Sequence, residues 1–325
     1  MPIDQRPSAI AIMGPTASGK SALAFELARQ LPGEIINIDS AAIYTGLDIG
    51  TAKPNAHMRA TVPHHLINVA DPWLPCSAAD VARLARQALD SIIQRQRIPI
   101  LVGGTGLYFR ALFAGLAPLP SANPAIRAEL MTEARQQGWP ALHAKLARID
   151  PQAAQRIHKS DAQRIQRALE VYRITTRPLT YWQCHAEKPS RLPVRLLKCV
   201  IAPQQRAVLH ANIRQRFEAM LASGFLDEVA TLRRAMAELN IVNPTELPAF
   251  RAVGYRQAWS FLDGDIDYET FCMQSVRCTK YLAKRQLTWF RSQLDARWFD
   301  PECAKAQLME AVCQFVKPRP RLDYG

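Results

Sequence analysis

The chain has 325 residues, 48% of them hydrophobic and 21% charged, a globular balance that excludes a disordered or low-complexity protein and leaves room for more than one domain. Its formal charge of +13 is unevenly spread: residues 1–110 carry 10 Lys and Arg against 8 Asp and Glu, and residues 111–325 carry 31 against 20. Most of that excess is arginine, whose planar fork suits phosphate, so the later part of the chain is read as meeting a polyanion, with a merely solvated basic surface as the alternative. Cysteines 76, 184, 199, 272, 278, 303 and 313 are scattered and never form C-x-x-C. They read as reduced thiols and argue against a metal site built from His and Cys. The opening MPIDQRPS lacks the apolar run of a secretory leader, and no segment reaches the about 18 apolar residues of a membrane span. A cytoplasmic protein with no membrane partner, and a monomer, is the expectation.

Ala9 to Met13 reads as a buried strand, and Gly14-Pro15-Thr16-Ala17-Ser18-Gly19-Lys20-Ser21 then fits the phosphate-binding pattern G-x-x-x-x-G-K-[ST] at every constrained position. A helix is predicted from about Lys20. Such a turn aims backbone N–H groups and the positive end of a helix at a phosphate, Lys20 adds a point charge, and the Ser21 hydroxyl can hold magnesium. Residues 34–39 read as a second strand with Asp39 at its carboxyl end, where ligands of open α/β sheets gather. A loop marked by Gly46, Gly50 and Pro54 follows, with Lys53 available to an anion. Residues 65–71 read as a third strand, Ser77 as the cap of a helix, and Ile98 to Val102 as a fourth strand running into Gly103-Gly104-Thr105-Gly106 and a helix over 107–113. Alternating strands and helices imply an α/β fold with a parallel, P-loop NTPase-like sheet flanked by helices.

The pattern changes near Pro118. Residues 121–190 show only helical periodicity, with helices near 124–136, 140–147, 152–158 and 161–175, and read as an all-helical insertion between core segments 1–120 and 191–316. The core resumes with a strand at 194–202 and helices over 205–221 and 224–238. The longest helix is predicted over 268–294, with an apolar stripe through Cys272, Val276, Ala283, Leu287, Phe290 and Leu294, and a basic one through Arg277, Lys280, Lys284 and Arg291. Residues 298–300 suggest an edge strand, and the tail 317–325 reads as disordered.

The loop alone does not say whose phosphate it holds. A nucleotide hydrolase would place a carboxylate at the end of a downstream hydrophobic strand, but Ile98–Val102 ends in Gly-Gly-Thr, which weakens that reading. An ATP-dependent small-molecule kinase and an RNA-binding ATPase remain alternatives at this point. A large polyanion accounts better for the insertion and the cationic second half.

Eight segments in register carry a resemblance: GPTASGKS, IDSAAIYTGLDIGTAKP, PHHLINVADP, GGTGLYFRAL, DAQRIQRALEVY, RFEAMLASGFLDEV, RAVGYRQAW and KYLAKRQLTWFR. In that order, across nearly the whole chain, they resemble the tRNA dimethylallyltransferase (tRNA isopentenyltransferase) family. The resemblance implies transfer of a dimethylallyl group from dimethylallyl diphosphate to N6 of the adenosine beside the anticodon of tRNA, with the inserted domain gripping the anticodon stem-loop and Mg2+ assisting. Residues 14–21 would hold the diphosphate, with Ser21 on the magnesium. Asp39 would be the base that takes the amine proton, or else a carboxylate near the metal. Thr16 and Arg216 would be further catalytic contacts to the diphosphate. Around the flipped nucleotide the resemblance places Asp39, Ser40, Ala41, Ala42 and Thr105. Its remaining tRNA contacts fall on Arg127; on Gln163, Arg164, Ile165, Gln166 and Arg167; on Arg251, Ala252, Val253, Gly254, Tyr255 and Arg256; and on Lys280, Tyr281, Leu282, Ala283, Lys284, Arg285, Gln286 and Leu287. Two positions depart from the family pattern: Ser21 stands where threonine is common, and Ala42 where a larger apolar residue is.

Overall fold

The computed structural model of the chain describes residues 6–185, 192–241, 244 and 247–316; the tail read as disordered lies outside them. The described chain falls into two compact units, residues 1–113 with 192–325, and residues 114–191. The second unit thus begins at Ala114 where the sequence pattern suggests 121.

The first unit is a six-stranded parallel sheet in the order β3-β2-β4-β1-β5-β6. Its strands are β1 (Ser8–Met13), β2 (Gly33–Ile38), β3 (His64–His65), β4 (Ile98–Gly103), β5 (Arg195–Ile201) and β6 (Arg297–Phe299). Apolar residues run continuously along the central strands because both faces are covered, as a parallel sheet requires. Ile10, Ile12, Ile35, Ile100 and Val102 point to one core, closed by α1 (Lys20–Gln30) and α14 (Ala304–Val316). Their neighbours Ala9, Ala11, Met13, Ile36 and Leu101 point to the other. That larger core is built with α3 (Ala78–Gln94), α4 (Gly106–Ala114), α10 (Arg206–Ala222), α11 (Phe225–Glu238), α12 (Tyr255–Leu262) and α13 (Tyr268–Arg291).

Several expectations are corrected. The third strand is only two residues long, because Leu66 and Asn68 adopt left-handed backbone angles (φ 62° and 55°) that break the ladder; the segment touches the sheet region again at a single Tyr44–Ala70 bridge. The longest helix ends at Arg291, so Leu294 lies beyond it and is 95% exposed rather than part of an apolar stripe. Helices α2 (Ala56–Thr61) and α14 have no counterpart in the sequence reading.

The second unit contains α5 (Pro124–Gln137), α6 (Trp139–Ile149), α7 (Pro151–Arg156), α8 (Ala162–Thr175) and α9 (Leu179–His185), the last unforeseen. They close on Leu130, Leu142, Leu146, Ile165 and Leu169. Starts are set by side-chain caps: Asn123 accepts from Ala125 and Ile126 N–H, Asp150 from Ala153, and Asp161 from Arg164.

Candidate active site

The loop after β1 ends at Gly19, whose left-handed backbone (φ 80°) turns the chain into α1 without any side-chain cap. The first N–H groups of this 11-residue helix are left for a ligand. Lys20 is folded back and buried, its Nζ 3.3 Å from the Pro15 carbonyl. Burial pulls its ammonium down to about 8, opposed by the charge of Asp39 and reinforced by that of Arg216. The Ser18 hydroxyl is buried in the same loop with no hydrogen-bond partner among the described residues.

Asp39 closes β2. Its Oδ1 accepts the Ala41 N–H at 2.9 Å and the Ala42 N–H at 3.4 Å, while Oδ2 has no hydrogen-bond partner among the described residues. The Thr105 hydroxyl accepts the Ser40 N–H at 3.0 Å and lies 3.3 Å from the Ser40 hydroxyl, so the glycine turn after β4 and the end of β2 are fastened together. Arg216 reaches in from α10, its Nη2 donating to the Thr51 carbonyl at 3.2 Å. Burial pulls the guanidinium below its usual range, and Asp39 acts the other way.

Ser18, Lys20, Asp39 and Arg216 line one cavity of about 360 Å³. Its lining is mixed: polar side chains of Thr16, Lys20, Ser21, Asn37, Asp39, Thr51, His64, Asn212 and Arg216, and apolar ones of Ile35, Ala42, Met58, Ile67 and Val102. Lys53 also lines it but is not available to an anion as expected. Its ammonium is held by the Tyr44 carbonyl at 2.5 Å, Asn68 Oδ1 at 2.6 Å and Asp48 Oδ1 at 2.7 Å, and its side chain is 4% exposed. Ser21 and Asp39 offer hard oxygens on this cavity, few in number, as suits a magnesium ion that takes most of its ligands from a substrate diphosphate and water.

Sequence reasoning passed over the residues that shape the walls. Glu228 on α11 accepts the backbone N–H groups of Asp48, Ile49 and Gly50 at 2.9, 2.6 and 3.2 Å and the Tyr255 hydroxyl at 2.6 Å. It braces the loop whose next residue, Thr51, takes Arg216. The quoted segment RFEAMLASGFLDEV contains Glu228, and a carboxylate on an otherwise apolar helix face was the available signal.

The residues expected to meet RNA divide by exposure. Arg251, Arg256, Lys284, Arg285 and Tyr281 are exposed, and Lys280, Leu282, Ala252, Val253 and Leu287 are partly so. Gly254, Tyr255 and Ala283 are buried, and the Tyr255 hydroxyl is engaged with Glu228. The Gln286 amide is also held inside the protein. In the helical unit, Gln163 and Arg164 are exposed and Ile165 is core. Arg127 and Arg167 converge instead on the fully buried Glu170. Arg127 is bidentate, at 2.8 and 3.1 Å, Arg167 is at 2.7 Å, and Arg167 also reaches the Pro120 carbonyl. Gln166 donates to the Arg127 carbonyl at 3.3 Å. Burial pushes the Glu170 carboxyl up, but the two arginines outweigh it and hold it below its usual range. No described helix is long and apolar enough to cross a membrane.

The chain is similar to known proteins along nearly its whole length. The profile described as IPP transferase matches residues 42–293. A tRNA dimethylallyltransferase of Xanthomonas campestris pv. campestris (strain 8004) is 59% identical over 319 residues, 98% of this chain and 97% of that one. Among solved structures, the full-length tRNA isopentenylpyrophosphate transferase of Bacillus halodurans superposes with a TM-score of 0.68 at 33% identity, covering 96% of this chain and 97% of the other. A eukaryotic dimethylallyltransferase acting on tRNA shares the fold, with a TM-score of 0.75 at 22% identity over 97% of this chain and 81% of that one. The profile match over most of the sequence and the 59% identity along nearly all of it place this chain, as an enzyme, in the IPP transferase family.

Proposed function

We propose that the protein transfers a dimethylallyl group from dimethylallyl diphosphate to N6 of the adenosine adjacent to the anticodon in tRNA, releasing diphosphate. The observation that carries this reading is the shared cavity: a cationic phosphate loop, apolar side chains and a half-free carboxylate, Asp39, line one space. The diphosphate sits in the loop of residues 14–21 against the N–H groups that open α1, where the Ser18 hydroxyl, unpartnered among the described residues, gains an acceptor. The five-carbon chain lies on Ile35, Met58, Ile67 and Val102.

The adenine amine is a poor nucleophile because its lone pair is delocalised into the ring. Asp39 Oδ2 takes its proton as the new carbon–nitrogen bond forms and the allylic carbon–oxygen bond breaks. The two N–H bonds to Oδ1 fix the carboxylate for this task. Charge that gathers on the leaving diphosphate is met by Lys20, Arg216 and the start of α1, and Thr16 adds a contact within the loop. A magnesium ion, held by Ser21 and the diphosphate, would add further neutralisation of that charge. The target nucleotide must leave its stack to enter, which is easier in a loop than in a duplex. Ser40, Ala41, Ala42 and Thr105 stand where it would arrive. The exposed cations Arg164, Arg251, Arg256, Lys284 and Arg285 and the partly exposed Lys280 contact RNA phosphates, which position the substrate without reading its sequence.

The test is direct. Purified protein, unmodified tRNA and radiolabelled dimethylallyl diphosphate are incubated without ATP, and label is expected in the tRNA. No label there, with label moved from ATP to a small molecule in a parallel reaction, would replace this reading with a kinase.

A further inference from the structure

Gln286 stands on α13, a helix whose exposed side carries Lys284 and Arg285, yet its own amide is turned into the protein. The amide oxygen accepts the Thr16 backbone N–H at 2.9 Å, and the amide nitrogen donates to the Gly104 carbonyl at 2.9 Å. The partners belong to the loops after β1 and β4. Only a side chain that is acceptor at one end and donor at the other can join an N–H to a carbonyl in this way, and a carboxylate of the same shape cannot.

The approach is close enough that any side chain at position 104 would displace the Gln286 amide. A Cβ at position 104 would lie 2.3 Å from Gln286 Nε2 and 3.2 Å from the Gly14 carbonyl oxygen. A Cβ at Gly106 would lie 2.5 Å from the Trp289 ring, on the same helix. Helix α13 is therefore packed onto the glycine turn at two points. The residue between those glycines, Thr105, bonds Ser40 beside Asp39.

We propose that Gln286 is a positioning residue for the transfer reaction. By tying Thr16 to Gly104 it sets the spacing between the loop that holds the leaving group and the turn that fixes the end of β2, where the base stands. It consumes the Thr16 N–H, so the contribution of Thr16 to the diphosphate comes from its hydroxyl. This inference rests on the function proposed above and adds a residue that acts through Thr16 and Thr105 rather than on substrate.

The test compares wild type with Gln286→Met, which keeps the length and packing of the side chain and removes both bonds. The expected result is a single-turnover transfer rate lowered about 10- to 100-fold, as a small misplacement of reacting groups costs. The KM for tRNA should stay within about twofold, since no ground-state RNA contact is removed. Hydrogen exchange at the Thr16 amide should accelerate. Should circular dichroism show Gln286→Met unfolded, Gln286→Glu takes its place, with the bond to Gly104 lost and the same split between rate and KM expected. A rate equal to wild type, or a raised tRNA KM with the rate unchanged, overturns the inference; the second outcome would make Gln286 an RNA contact. A wild-type protein that moves no label to tRNA overturns the functional reading itself, and this inference with it.

Discussion

Each unit of the protein sets two cations against one carboxylate, and each uses them differently. In the helical unit, Glu170 is fully buried and its oxygens are filled by Arg127, Arg167 and the Asn123 N–H at 2.8 Å, while the two arginines keep 43% and 27% of their side chains in water. In the α/β unit the cations are the buried Lys20 and the half-buried Arg216. Each hydrogen-bonds a backbone carbonyl, and Asp39 influences both from beyond ion-pair distance. The first arrangement is saturated and holds helices together. The second leaves desolvated positive charge without a counter-ion, which is a site waiting for an anion.

Substitutions can break this contrast. The largest effect belongs to Asp39→Ala: transfer should be abolished while tRNA binding stays within a few-fold, checked by label incorporation and filter binding. A variant with near-normal turnover would remove Asp39 as the base. Arg216→Ala should lower the transfer rate by about 100-fold, the loss seen when one fixed donor to a developing anion is deleted. The corresponding change in the other unit, Glu170→Ala, strands two arginines and should cost on the order of 3 kcal/mol of stability by urea unfolding. Unchanged stability would mean that the cluster is not structural.

A smaller effect sharpens the contrast through pH. Lys20 is charged below about 8, so kcat/KM for the diphosphate donor should fall as pH rises through that value, by up to about tenfold per unit. Stability should move the other way. Because the unfolded lysine titrates near 10.5, the unfolded chain binds more protons between the two values, and the contribution of Lys20 makes the folded state more stable as pH rises there. A flat kcat/KM across this window would mean that the ammonium does not serve the donor. Smallest is Arg164→Ala. This exposed arginine, paired only with Asp161, should change stability by less than about 0.5 kcal/mol. It should also reduce the salt slope of tRNA binding by about one.

The sheet was legible because its signals are local. Apolar runs of strand length alternate with amphipathic helices, and the phosphate loop is a contiguous pattern at the end of one of them. Asp39 was legible for the same reason, as the last residue of a strand. What escaped depends on partners that only the folded chain brings together, some near in sequence and some far. Lys53 looks like an anion ligand until Asp48, Asn68 and the Tyr44 carbonyl surround it. Arg127 and Arg167 show no sign in the sequence of the buried Glu170 that orients them. Gln286 lies inside a basic segment whose charge draws attention away from the one neutral amide. The short third strand failed for a backbone reason: two left-handed residues in an apolar run leave no mark in composition.

The brace formed by Glu228 has a consequence for how the proposed donor pocket can be changed. A connection rich in glycine and proline would ordinarily flicker between shapes, yet three of its amides and a tyrosine hydroxyl converge on one carboxylate. That stretch is thus mechanically part of the helices behind it, and little ordering entropy is left to lose when the donor arrives. Widening the apolar wall at Met58 or Ile67 to admit a longer isoprenoid would leave this anchorage intact, so chain length and loop rigidity can be engineered separately.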